Sequence, residues 1–484
     1  MIYGGCDGTM GRFGTTSTHS APVRLCGLWQ LVREPVPAEA RASLDAAWRR
    51  VAPEFRTPNQ MLGRHEEGCG ATIGAMPRCD FACRGCYLTA GANRIPELPV
   101  EDVLAQLDAL RRHLGPWGNV QLTDGEVSLR DPDEVTAILR HARAIGLIPM
   151  LMTHGDTFLR DPGLLKRFMV EGGLEEVSFH IDTTQRGRRD RAFRHAATEA
   201  ELMPLRARFA DLVRRVRRET GRTLRVASTV TVTTDNLHEV GDIVRFMQAN
   251  ADVFRMVGFL PVAPVGRTAD SVGGIDAEML WAQIARGLTI EDSNAGRLSA
   301  NQWLMGHPDC SRFVMGATVT DGDAAPRFLP VSPASSKADA RLLDAVFARL
   351  PGATFRADRP SEATARLAGM ALRAPGLFVW HLPRAVWGWA RRLAPGKPLR
   401  FLRQVATGRV RVHRFAVSAH HFMSAAELGT ATGQARLDHC AFRVAIDGEL
   451  HAMCEVNAAG MREEFYARIA REAAARNNAL ESVA

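Results

Sequence analysis

The densest chemistry in the chain lies in nine residues, Cys79-Asp80-Phe81-Ala82-Cys83-Arg84-Gly85-Cys86-Tyr87. Three cysteines at spacing C-x3-C-x2-C share one short loop, just after an apolar run from Ala71 to Met76. Four thiolates would close a structural zinc or a complete iron–sulfur site. Three in so tight a loop can hold three irons of a 4Fe–4S cube. The fourth iron is then left to a ligand that chelates through an amino and a carboxylate group. The competing readings are a three-cysteine zinc site completed by one other side chain, and plain buried thiols. Zinc knuckles usually come as two C-x2-C pairs, and the chain contains only one, Cys83/Cys86.

Such a loop needs a scaffold. From about Ala71 to Val265 apolar strands alternate with helical segments, the pattern of a parallel β/α sheet. The expected strands are Ala71–Met76, Asn119–Leu122, Ile148–Met152, Glu176–Ile181, Arg225–Val232 and Arg255–Leu260. Helices over Glu101–Leu114, Pro132–Ala144 and Asn236–Gln248 fill the gaps. Ligands in such folds collect at the carboxyl ends of the strands, and polar residues cluster there. Thr123-Asp124-Gly125-Glu126 follows the second strand and Thr153-His154-Gly155-Asp156 the third. Ser178, His180 and Asp182 alternate along the fourth. The acidic turn also reads as a helix N-cap, and His180 also reads as a satisfied core residue. Upstream, a Gly/Thr/Ser-rich start leads into an amphipathic helix over Ala38–Val51. Cys6 and Cys26 read as small buried residues there, and His65 and Cys69 lie close ahead of the cysteine loop.

Over roughly residues 70–270 the chain resembles the radical S-adenosylmethionine (radical SAM) superfamily, whose hallmark is the C-x3-C-x2-C spacing. The resemblance implies an α/β fold, an open six-stranded parallel (β/α)6 partial barrel, here expected over residues 67–290. An N-terminal extension (1–66) precedes it, and a mixed substrate or capping region (291–484) follows. It implies a 4Fe–4S cluster on Cys79, Cys83 and Cys86 that delivers one electron to bound S-adenosylmethionine (SAM). The C5′–S bond breaks and a 5′-deoxyadenosyl radical results. Asp124-Gly125-Glu126 looks like the family's Gly-Gly-Glu element, which holds the methionyl ammonium, with Asp124 in place of the first glycine. In the family, positions such as Thr153, His154, Ser178 and His180 touch ribose, carboxylate or substrate. Phe259–Arg267 resembles the last barrel strand, near the adenine. The aromatic usual before the third cysteine is here Gly85, so Tyr87 or Phe81 is expected to cover the adenine. A flavodoxin- or ferredoxin-like reductant is the implied partner.

Composition is that of an ordinary globular protein, 46% hydrophobic and 24% charged over 484 residues. Nine cysteines without secretory spacing argue against a disulfide framework, and no signal peptide is visible. With an oxygen-sensitive cluster this gives a cytoplasmic expectation. No window reaches the ~18 apolar residues of a spanning helix. The net charge of +8 is uneven: Arg373 to Arg414 holds ten Arg/Lys and no acid, which leaves the rest near −2. Binding of nucleic acid by the whole surface is therefore a poor expectation.

Beyond Arg267 the sequence changes character. One helix is expected over Gly273–Gly287, a surface excursion over 322–362 with a helix at Ala338–Leu350, and a hairpin of Cys440–Ala445 with Leu450–Cys454 about Asp447-Gly448. Paired strands would bring Cys440 and Cys454 together, and with Cys310 they are candidates for a second iron–sulfur cluster; plain buried thiols are the alternative. Leu377–Arg403 sets Trp380, Trp387 and Trp389 among apolar residues and cations. That suits either an interfacial membrane element or a capping hairpin with inward tryptophans. The tail is similar to that of radical SAM enzymes that join lipid alkyl chains, the tetraether and macrocyclic archaeol synthases. The shared features are His421-Phe422-Met423, Cys440 ahead of an Asp-Gly turn, Cys454 ahead of Asn457, and Arg462-Glu463. The expected function is radical C–H activation on an apolar, lipid-like substrate, with peripheral membrane contact. Modification of a peptide or small polar metabolite is the alternative within the enzymes. An iron–sulfur electron-transfer or scaffold protein is the alternative outside them.

Overall fold

The computed structural model describes residues 25–268, 274–288, 295–322, 325–352 and 360–481. Cys6 and the side chain of Cys26 lie outside the described residues. The strands are β1 (Cys69–Ala71), β2 (Asn119–Leu122), β3 (Ile148–Thr153), β4 (Glu176–His180), β5 (Arg225–Val232), β6 (Phe254–Pro261), β7 (Trp303–Leu304), β8 (Ser311–Asp321), β9 (Arg327–Pro330), β10 (Val410–His420), β11 (Phe442–Ile446) and β12 (Glu449–Ala452). They form one open sheet in the order β12-β11-β1-β2-β3-β4-β5-β6-β10-β8-β7, with β9 on β8.

The run β1 to β6 is parallel throughout, the expected partial barrel. The C-terminal region then extends it at both edges. β11 lies parallel to β1, with Cys69 opposite Phe442, and β10 lies parallel to β6, with Val417 opposite Val257. β12 and β8 add antiparallel pairs outside them, and β7 and β9 both pair with β8 in turn.

Helix periodicity sets what covers the sheet. Val100–Leu114 buries Val103, Leu107, Leu110 and Leu114, one stripe at helical spacing. Pro132–Ala144 starts on Asp131, whose carboxylate accepts the amides of Asp133 and Glu134, with Pro132 in the first turn. These side chains join the main core with Phe179, Phe209 and Phe259. The C-terminal helix Met461–Glu481 adds Phe465, Tyr466 and Ile469 to the same core.

Several boundaries differ from expectation, for identifiable reasons. β1 ends at Ala71 instead of running to Met76, because side chains take over the backbone beyond it. Gln106 brackets Ile73, accepting its amide at 2.9 Å and donating to its carbonyl at 2.8 Å, and Asp124 takes the Gly74 amide. The expected helix Gly273–Gly287 begins only at Ala277, capped by Asp276. The 322–362 stretch is no loose excursion where it is described. β9 pairs with β8, and Lys337–Arg349 buries Leu342, Phe347 and Asp339. The Asp447-Gly448 turn stands, but the ladder runs Arg443–Ile446 against Glu449–Ala452. Cys440 precedes it, and Cys454 lies on the helix Met453–Ala458.

Candidate functional site

The cysteine loop is clamped from two sides by backbone. Ala82 and Arg84 donate to the carbonyls of Arg186 and Thr184 at 2.7 and 3.0 Å, so the segment after β4 pairs with the loop. Beyond β6, the Arg267 amide donates to the Cys86 carbonyl at 3.0 Å. Gly85 lets the loop lie on β5, since a Cβ there would stand 2.6 Å from the Thr231 methyl. This is the place where the resemblance implies an aromatic. Cys79, Cys83 and Cys86 all line one cleft, which encloses about 1320 Å³ out to its open mouth. The amides of Phe81 and Leu88 point at the sulfurs of Cys79 and Cys86, each at 3.4 Å. Burial pushes the Cys83 thiol up to about 12, with Cys86 and Asp182 adding to it, and raises Cys79 and Cys86 as well. Such sulfurs become ligands when a metal's positive charge holds them ionised.

Asp80 and His154 lie beside Cys79, with ligand atoms within 4.8 Å of one another. Neither nitrogen of His154 is free, however. Nδ1 accepts the Asp156 amide at 3.1 Å, which places the proton on Nε2. Nε2 then donates to Asp80 at 2.8 Å, with Glu126 at 3.3 Å. Burial would lower this imidazole, but Glu126 and Asp80 outweigh it and raise the pKa. Phe81 stacks on the ring at 3.8 Å.

The Thr123–Glu126 turn forms the next wall. Gly125 is forced by close approach: a Cβ would sit 2.2 Å from the Arg78 carbonyl oxygen. Its amide donates to Met76 at 2.7 Å and that of Glu126 to Arg78 at 2.9 Å, zipping the turn to the chain leading into Cys79. Glu126 accepts from the Thr153 hydroxyl (2.7 Å), the His154 amide (2.9 Å) and the Ser128 amide (3.2 Å), so its carboxylate is fixed at the cleft wall. The carboxylate of Asp124, by contrast, meets Arg462, and its carbonyl accepts the Tyr87 hydroxyl at 2.7 Å.

The structure brings Cys79, Cys83, Cys86, Tyr87, Asp124, Gly125, Glu126, Thr153, His154 and His180 to this cleft. His180 Nε2 lies 2.8 Å from Asp182 and 3.0 Å from Thr231. Burial would raise Asp182, but the His180 charge and hydrogen bonds hold it at about 2. Ser178 does not line the cleft; its hydroxyl pairs with Thr229 at 2.8 Å, and Thr229 is the lining residue. Cys454 lines the cleft too, its sulfur accepting the Met423 amide at 3.5 Å. Cys310 takes Arg436 Nε at 3.4 Å, and Cys440 turns to the Phe442 carbonyl at 3.1 Å. Cys69 opens β1 and is not among the cleft residues, and His65 packs edge-on to Phe347.

Sequence reading missed Arg462, Asn457, Thr231 and Gln185. The signal for Thr231 is its place near the carboxyl end of β5, where ligands of such sheets collect. Arg462 and Asn457 stand in the sequence only as points of likeness in the tail, with nothing that places them at the cysteine loop.

Residues 73–247 match the family described as the radical SAM superfamily. The chain is 25% identical over 198 residues to 7,8-dihydro-6-hydroxymethylpterin dimethyltransferase of Methanocaldococcus jannaschii, covering 41% of this chain and 37% of that protein. Among solved structures it is similar to SuiB of Streptococcus suis bound to S-adenosylmethionine, with TM-score 0.32, 14% identity and coverage of 47% and 48% of the two chains. It is also similar to anSMEcpe with bound AdoMet, with TM-score 0.33, 12% identity and coverage of 46% and 56%. The chain thus spans little more than a third of the curated relative and about half of these structures. Cysteine loop, glycine–glutamate turn and family match fall on the same stretch of parallel sheet, and residues 73–247 belong to the radical SAM superfamily.

Proposed function

We propose that the protein is a radical SAM enzyme acting on a long apolar, lipid-derived chain. The observation that carries this reading is a cleft of mixed lining. The three cysteines and Glu126 share it with the apolar side chains of Leu260, Val262, Val265, Phe422, Phe442 and Met453. The donor set fits the family's cofactors: three half-buried thiols lining one cleft, and a fixed carboxylate beside a tightly packed glycine. Cys79, Cys83 and Cys86 would hold the 4Fe–4S cluster, and Gly125 and Glu126 the methionyl end of SAM. When bound, this pair supplies a carbon radical able to take hydrogen from an unactivated C–H bond. The protein's own part is to orient and to exclude water. Thr153 and His154 fix the Glu126 carboxylate, and the apolar lining takes the chain to be attacked.

The Leu377–Arg403 segment supports a lipid source. Helical segments Leu377–His381, Leu382–Leu393 and Pro398–Ala406 leave Val379 (73%), Trp380 (58%), Trp387 (41%) and Leu399 (71%) exposed. Arg384 lies over the Trp380 ring at 3.4 Å. Trp389 turns inward instead, donating to buried Asp339 at 2.6 Å. The outer face thus mixes large apolar groups with cations, as at an anionic lipid surface. Among the described residues no helix is long and apolar enough to cross a membrane, so the contact would be peripheral, from a reducing compartment. A second cluster on Cys310, Cys440 and Cys454 belongs to the same reading. Cys454 is pushed up to about 12, first by burial, and then by Cys440 and Cys310 nearby.

A polar metabolite is the second reading, favoured by the pterin substrate in the curated relative's name. The test is anaerobic reaction of reconstituted, reduced protein with SAM, offering lipid extract or a reduced pterin. Release of 5′-deoxyadenosine, lost in Cys83→Ala, is expected, with new product from the lipid. No 5′-deoxyadenosine from wild type would refute enzymatic function, and product from the pterin alone would refute the lipid. Flotation with anionic vesicles, weakened in Trp380→Ala/Trp387→Ala, tests the contact. Iron analysis tests the second cluster: about eight irons per chain, against about four in Cys310→Ala/Cys440→Ala/Cys454→Ala. About four in both would dispose of it.

A further inference from the structure

Asp124 combines a strained backbone with a buried charge. Its φ of 147° is a conformation that side-chain-bearing residues rarely adopt. Both atoms of its carboxylate are committed, Oδ2 to the Gly74 amide and Oδ1 to Arg462 Nη1. Arg462, 1% exposed, lies at the start of the helix Met461–Glu481, 338 positions away. Its remaining contacts converge on the same place: Nε donates to Asn457 at 3.0 Å and Nη1 to the Tyr466 hydroxyl at 3.3 Å. Its guanidinium lies 4.7 Å over the Tyr87 ring. Tyr87 follows Cys86 and holds the Asp124 carbonyl. The turn is therefore gripped at its side chain by the C-terminal helix and at its carbonyl by the cysteine loop. The next two residues are Gly125 and Glu126. A buried pair of charges is weak evidence of stability, because apolar side chains of equal volume would serve as well. It is a precise means of fixing one backbone geometry.

We propose that Arg462 is a positioning residue for SAM. It holds the Asp124 turn in the conformation that aims Glu126 at the methionyl end, so the C-terminal helix is a working part of the cofactor site. The inference rests on the reading that SAM binds at Gly125 and Glu126. Glycine at 124 would adopt this φ without being gripped, and this yields the decisive comparison.

The experiment measures SAM binding by equilibrium dialysis on the full chain with its cluster reconstituted, for wild type, Arg462→Met and Asp124→Gly/Arg462→Met. Iron per chain and the change in the reduced cluster's EPR spectrum on adding SAM are recorded alongside. Arg462→Met is expected to keep its iron, weaken SAM binding at least tenfold and lose the SAM-induced spectral change. The double variant, with no unpaired buried charge, is expected to recover both, with affinity within threefold of wild type. Wild-type affinity in Arg462→Met would overturn the proposal. So would a double variant still tenfold weak, which also decides the matter if Arg462→Met alone fails to fold. Failure of the site reading looks different: wild type itself would not bind SAM, or Glu126→Gln would bind it normally.

Discussion

Replacing Gly125 by alanine tests the packing that joins the Glu126 turn to the cysteine loop. The new Cβ would stand 2.2 Å from the Arg78 carbonyl oxygen and 2.6 Å from that of Pro77. Ordinary carbon–oxygen contacts lie at about 3.3 Å or more, so the two strands of backbone must part by roughly 1 Å. Backbone has no rotamer to escape into. Parting strains the hydrogen bonds Gly125 N–H to Met76 and Glu126 N–H to Arg78, each worth about 1 kcal/mol. With about half of that bonding lost, and residual overpacking of about 1–3 kcal/mol, the local penalty is roughly 2–4 kcal/mol. If that falls on the bound conformation, SAM affinity drops roughly 30- to 1,000-fold, at about 1.4 kcal/mol per decade. Gly388→Ala is the control. It makes the same change where nothing lies within 4 Å, inside a helix, and should be neutral or stabilising by up to about 1 kcal/mol. SAM binding and iron content of the two reconstituted proteins form the assay. Should Gly125→Ala bind SAM within threefold of wild type, the close approach constrains nothing and the reasoning fails.

Glu126→Gln removes the anion while keeping the shape. With a charge-assisted bond worth about 1.5–3 kcal/mol, SAM affinity should fall roughly 10- to 150-fold with iron content unchanged, as read by dialysis. His420 is held down to about 4 by burial and by the neighbouring His421, below the roughly 6.5 of an unfolded chain. A depressed histidine stabilises the fold fully above the unfolded value, and that contribution is lost as pH falls from about 6.5 through about 4. Urea midpoints should therefore drop between pH 7 and 4.5, and less steeply in His420→Gln; an unchanged slope counts against burial as the cause. Trp389→Phe strips a donor from buried Asp339 and should cost about 1–3 kcal/mol. Trp387→Ala, on the exposed face, should stay within about 0.5 kcal/mol; equal losses in the two would contradict opposite orientations.

The parts of the site that depend on short spacing are legible in the sequence. The C-x3-C-x2-C loop, the Gly125-Glu126 turn and the bounds of β2 and β5 follow from local pattern alone. What escaped depends on side chains arriving from far along the chain. Nothing near Ala71 announces that Gln106 and Asp124 will take over its strand's backbone. Asp124 stood out only as a departure from a glycine pattern, and its reason lies at Arg462. The tryptophan cluster was read as one unit, yet Trp387 and Trp389, two positions apart on a helix, face different ways. Cys440 and Cys454 were set on paired strands because the Asp447-Gly448 turn was legible, while the helix that begins at Met453 was not.

The lacing of the sheet constrains how the polypeptide can reach this state. β1 is completed by β11 and β6 by β10, so neither rim of the parallel array is covered until segments beyond residue 409 emerge from the ribosome. A nascent chain ending near residue 290 would carry two bare strand rims, the kind of surface that recruits chaperones or other chains. Contacts of such long sequence separation also make slow maturation the expected course. The helix carrying Arg462 follows the whole parallel array and the cysteine loop in the chain, so the buried grip on the Asp124 turn forms only after both have been synthesised.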